Sequence, residues 1–85
     1  MPTISMFFGI IITMYPDDHN PPHFHARYQG DDAVFTLDGE FIEGDMPRKQ
    51  RKLIGAWAEL HFDELSANWE LALNSQELYR IDPLR

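Results

Sequence analysis

Asp17-Asp18-His19-Asn20-Pro21-Pro22-His23-Phe24-His25 is the stretch on which the reading of this chain turns. Three of the four histidines, two adjacent acids and a rigid Pro-Pro step fall within it. The three prolines between Pro16 and Pro22 exclude a helix interior or a central strand there. Residues 16–22 are therefore a connection, and what lies on either side of it decides the fold.

On its C-terminal side, His23 to Gln29 alternates. Phe24, Ala26 and Tyr28 share one face of a strand, and His23, His25 and Arg27 share the other. Gly30-Asp31-Asp32 reads as a turn, Ala33 to Leu37 as the next strand, and Asp38-Gly39 as a hairpin signal. A short strand, Glu40 to Glu43, closes at Gly44. On the N-terminal side, residues 3–7 and 10–15 are rich in β-branched and aromatic residues, with Gly9 between them as the hinge of a hairpin. Ile10-Ile11-Ile12-Thr13-Met14-Tyr15 is apolar at nearly every position. That suits a central strand covered on both faces, or one half covered by a partner chain.

Beyond Gly44, Asp45 is the expected N-cap, and Pro47 sits near the first helical position. No proline follows until the tail. Ile54, Trp57, Ala58, Leu65, Trp69 and Ala72 fall on one stripe at about 100° per residue, with His61 among them. One long helix, kinked near His61 to Asp63, is the preferred reading. Two helices meeting near Phe62, with Asp63 as the second N-cap, are the alternative. Leu78 to Ile81 offers a short edge strand that Pro83 ends. The expected fold is α+β: a small antiparallel sheet of four to five strands, an N-terminal hairpin plus a β-meander, packed against one long or kinked C-terminal helix. Residues 1–85 are expected to form a single domain.

Composition narrows the classes. A chain of 85 residues buries only roughly 60–70% of the surface it would expose unfolded, so a dimer contact would help. The absence of cysteine excludes disulfides and thiolate metal sites and fits a reducing cytoplasm. Ile4 to Tyr15 lacks the flanks of a signal peptide and is shorter than the roughly 20 residues of a spanning helix. No membrane association is expected. A net charge of −7 argues against direct binding of nucleic acid.

Chemistry concentrates in the opening stretch. His19, His23 and His25 form an H-x3-H-x-H pattern, and the H-x-H part on a strand puts two Cα atoms about 7 Å apart on one face. His19 would add a third ligand, with Asp18 or Asp17 as a fourth. Three ligands and an open position match a catalytic site for zinc or a similar divalent ion. Arg27 on the same face opposes a metal unless it points away. The competing reading is structural: the acids bond turn N–H groups, and the imidazoles lock the loop onto the sheet. A second cluster, Arg48, Lys49, Arg51 and Lys52, holds four of the seven cations in the first helical turns, against the helix macrodipole. Pairing with Glu40, Glu43 and Asp45 would offset that. Otherwise the cluster is a candidate surface for an anionic or protein partner. The spacing of Trp57 and Trp69 lets both face the core, and no nucleophile–base pair or phosphate loop is present.

Several motifs occur in order: Pro2-Thr3-Ile4-Ser5, Gly9-Ile10-Ile11-Ile12, Asp18-His19-Asn20-Pro21-Pro22-His23-Phe24-His25, Ile42-Glu43-Gly44, Pro47-Arg48, Trp57, Glu59-Leu60-His61, Glu64-Leu65 and Asn68-Trp69. With these the chain resembles the small prokaryotic DUF4160 family, over nearly its whole length and with no departure at the motif positions. The resemblance implies no activity. It implies an association with a second small protein encoded by a neighbouring gene, in pairs resembling toxin–antitoxin modules. Two function classes follow. One is a non-enzymatic protein-interaction or regulatory module. The other is a metal-dependent hydrolase, a nuclease or phosphoesterase, that uses His19, His23, His25 and Asp18.

Overall fold

A computed structural model describes residues 2–15 and 20–85. Five strands form one antiparallel sheet in sequence order: β1 (Thr3–Phe7), β2 (Ile10–Thr13), β3 (His23–Tyr28), β4 (Asp31–Thr36) and β5 (Phe41–Gly44). Two of its hairpins are two-residue loops. Phe8-Gly9 joins Phe7 to Ile10, and Gln29-Gly30 joins Tyr28 to Asp31. All four loop residues have positive φ, as a type I′ turn requires. The second loop corrects the sequence reading. Gln29 takes the left-handed position, so the turn ends at Gly30, and β4 begins at Asp31 rather than Ala33. The third hairpin uses the expected Asp38-Gly39. There Gly39 N–H donates to Thr36 O (2.9 Å).

Strand alternation sorts the sheet into two faces. Ile12, Ala26 and Ala33 lie side by side, as do Phe24 and Phe35, and all five are buried. Two helices cover this face: α1 (Arg48–Leu60) and α2 (Phe62–Leu73). Trp57 of α1 is fully buried, its ring 5.3 Å from Phe7 and 5.7 Å from Phe24. Ile54, Ala58, Leu65, Trp69 and Ala72 join it in one continuous core, so the stripe read from the sequence is the buried one.

The helical segment is two helices, not one long or kinked helix. At the junction His61 has φ −114° and ψ 26°, away from helical values. Broken there, the segment fits a molecule 33 Å in its longest dimension, whereas a straight helix from residue 48 to 73 would run about 39 Å at 1.5 Å per residue and overhang the core. Asp63 is not the second cap. It stands with Glu64 in the first turn of α2, where acids suit the macrodipole. Nor does Asp45 cap α1. Its N–H donates to Asp32 O (2.9 Å), continuing the sheet, and Pro47 occupies the N-cap position without a side-chain bond.

The tail forms no strand, contrary to the edge-strand expectation, but it is fastened at three points. Ile81 N–H donates to Ile4 O of the edge strand β1 (2.7 Å). Asn68, 2% exposed, brackets Tyr79: its Nδ2 donates to Tyr79 O (2.8 Å) and its Oδ1 accepts from Tyr79 N–H (3.0 Å). The Trp57 indole N–H donates to Asp82 O (2.8 Å). A buried Trp or Asn needs such partners. The same bonds lay Ile81 into the core, with Leu78 and Leu84 against its margin. Among the described residues no helix is long and apolar enough to cross a membrane.

Candidate functional site

The opening stretch ends inside β3, whose first three residues are His23, Phe24 and His25. Asp17, Asp18 and His19 lie outside the described residues, so the H-x3-H-x-H pattern is described from Asn20 onward. β3 places His23 and His25 on the sheet face opposite the helices, as the alternation predicts, with Phe24 and Ala26 buried beneath. The two imidazoles are neighbours, with ring centroids 5.2 Å apart at 70°. Tyr15 meets His25 edge-on at 4.8 Å, and Trp69 reaches the end of the strand to lie 5.3 Å from His23. Tyr15, His25, His23 and Trp69 thus form a row of four rings from the open face of the sheet to α2.

His23 Nδ1 lies 2.7 Å from Pro21 O. A carbonyl oxygen only accepts, so Nδ1 carries the hydrogen, and in the neutral ring Nε2 is the acceptor. This bond folds the Pro-Pro step back onto β3. Pro21 and Pro22 then form one wall of a hollow of about 450 Å³ whose other walls include Leu37, Phe62 and Trp69. Among the described residues no group of three or more His, Asp or Glu is placed to hold a metal ion.

Arg27 points to Asp32 across the β3–β4 pair, Nε to Oδ1 at 3.1 Å. Both side chains are more than half exposed, so the pair adds little stability. It does balance the cation that, in the sequence reading, opposed a metal on this face. Thr3, Ile11, Thr13, Tyr15, His25 and Arg27 line a shallow hollow of about 420 Å³ on the same face. Met6, beside Ile11 in the next strand, is 52% exposed.

The four cations of α1 divide. Arg51 is committed to the fold: Nε donates to Met46 O (2.9 Å), and its guanidinium lies 4.0 Å above the Phe41 ring. Arg48, Lys49 and Lys52 are exposed. Among the described residues none of the four forms an ion pair with Glu40, Glu43 or Asp45, and no acid stands in the first turn of α1. Lys49 borders a third hollow of about 520 Å³, with Phe8, Tyr28, Gln50 and Leu53. Sequence reasoning missed this hollow, although an aromatic residue beside Gly9 in a tight turn was its visible signal. His61 Nδ1 lies 2.6 Å from Glu64 Oε1, and the His61 ring leans on Trp57 at 5.8 Å. His61 is thus a part-buried histidine with a bonded ring nitrogen at the junction of the two helices.

Compared with known families, residues 9–70 match the one described as Domain of unknown function (DUF4160). No curated protein and no solved structure matches the chain.

Proposed function

The chain belongs to the DUF4160 family, and from that premise we propose that it is a non-enzymatic protein-interaction or regulatory module, one member of a toxin–antitoxin-like gene pair. The face of the sheet that no helix among the described residues covers carries this reading. A solvated sheet face is ordinarily polar. Here it presents Met6, Ile11, Tyr15 and Val34, all partly or largely exposed. Ile11 is the middle residue of the Ile-Ile-Ile run that suggested a strand half covered by another chain. The imidazoles of His23 and His25 sit within a packed row of rings, which suits a shaped contact surface.

The partner is a small protein from the neighbouring gene. Co-expression followed by size-exclusion chromatography tests this. The two proteins should elute together at micromolar concentration, and Met6→Glu on the open face should weaken the complex. Separate elution of the unsubstituted proteins contradicts the reading. A chain that elutes as a stable homodimer instead makes a second copy the partner.

One observation favours a second reading, a metal-dependent hydrolase. His23 and His25 lie ring to ring, and a backbone carbonyl fixes the His23 tautomer, as is usual for metal-binding histidines. His19 and Asp18 would complete the set. A bound Zn²⁺ would supply a water with a pKa near about 7. Elemental analysis of untagged protein decides it. Metal well below one per chain after Zn²⁺ or Mn²⁺ incubation sinks this alternative.

A further inference from the structure

The hollow between the β1–β2 hairpin tip, the end of β3 and the start of α1 combines an apolar floor with a positive rim. Tyr28 and Leu53 form the floor, half-buried against the core. Phe8 stands at the edge, 60% exposed. Its φ is 49°, a position that Asn, Asp or Gly ordinarily fills in such a turn and that is costly for a bulky residue. Burial returns little of that cost. Among the described residues its only ring contact is the edge of Phe7 at 6.4 Å.

Lys49 closes the side of the hollow. Lys52, three residues on, is its neighbour on the helix surface, and Arg48 is four residues before Lys52. No acid in the first turn of α1 offsets these charges. The floor suits one large apolar side chain, and the rim suits negative charge. Nucleic acid is disfavoured because its long array of phosphates would also meet a body of net charge −7. A second copy brings the same repulsion. A short acidic peptide feels mainly the cations within a Debye length of about 8 Å.

We propose that this hollow receives an aromatic or long aliphatic side chain from an acidic segment of a protein partner, with Lys49 and Lys52 pairing the flanking carboxylates. The proposal rests on the protein-interaction reading above and names the chemistry of that partner. The open sheet face leads to the same end of the molecule through Met6, two residues from Phe8.

Two measurements test it. In the first, backbone amide signals of the full chain are followed by NMR during titration with a short synthetic peptide carrying one Trp flanked by Asp and Glu. Shifts should cluster at Phe8, Tyr28, Lys49 and Leu53. Peptides with Ser for Trp, or Lys for the acids, should bind about tenfold more weakly or worse. Phe8→Asn, which suits the turn and should fold, and Lys49→Glu should each cost about tenfold, whereas Lys49→Arg should bind like the unsubstituted chain. Equal binding of the Lys peptide, shifts clustered elsewhere, or no saturation at millimolar peptide overturns the proposal. So does an oligonucleotide that shifts the same amides more strongly, or a dimer that Lys49→Glu dissociates.

The second measurement puts Phe8→Asn and Lys49→Glu into the complex with the neighbouring gene's protein. Loss of co-elution supports the proposal. A complex that ignores both substitutions overturns it while leaving the interaction reading intact. If no complex forms at all, the interaction reading fails, and the peptide titration alone decides the inference.

Discussion

Asn68 does the work of a strand. Its side-chain amide meets both the N–H and the C=O of Tyr79, as a neighbouring backbone would. Asn68→Ala removes both bonds and leaves two backbone groups in a part-buried place. We expect a loss of about 1–3 kcal/mol in urea unfolding. Asn68→Asp keeps the acceptor but sets a carboxylate against Tyr79 O, and should cost more than Ala. If both variants stay within about 0.5 kcal/mol of the parent, the tail is not held through this residue. The Asn68-Trp69 motif marked the position but not its role, because its partner is eleven residues away and is met only after the tail folds back. His23 and His25 were the opposite case. Strand alternation alone placed them on one face beside Arg27, and they are there. What alternation could not give was Tyr15 and Trp69 at the two ends of the ring row, since those contacts join β3 to residues distant in sequence.

Among the elements, α1 rests on the β4–β5 turn through two glycines. Gly39 has φ +93°, and a Cβ built there would lie 2.8 Å from the backbone of Gly55. The reverse approach is looser: a Cβ on Gly55 would lie 3.4 Å from Gly39 O, an ordinary contact. The two substitutions should therefore differ in sign. Gly39→Ala should destabilise by about 1–3 kcal/mol through backbone strain alone, with the clash added. Gly55→Ala, inside a helix, should gain up to about 1 kcal/mol. Thermal unfolding of both variants checks this, and the reverse order would mean that the helix does not sit on the turn. The Asp38-Gly39 signal and the periodicity of 48–73 were legible because both are local. The place of the break was legible too, near His61 to Asp63, but not its sharpness, because an unbroken apolar stripe does not show whether the segment bends or separates into two helices. Gln29 was not legible either, since glutamine carries no mark of a left-handed turn and takes one here for the sake of the hairpin.

For the molecule as a whole, charge is the dominant long-range term. With fourteen acids against seven Lys and Arg and a longest dimension of 33 Å, nearly every charge senses the others at about 0.01 M salt, where the Debye length is about 30 Å. At 0.15 M that length falls to about 8 Å. Self-repulsion penalises the compact state more than the expanded chain, and the exposed Arg27–Asp32 pair has little to lose on screening. The melting temperature should therefore rise by a few degrees over this range; a flat or falling profile would show that local pairs outweigh the net charge. The three fastenings of the tail have a consequence for synthesis. Ile81, bonded to β1, completes the core with Leu78 and Leu84 at its margin, so β1 is finished by residues made after both helices. Although chains fold from the N-terminus as they emerge, the hairpins here would leave the ribosome as a sheet whose apolar face is still wet. The core would close only when translation has passed residue 84.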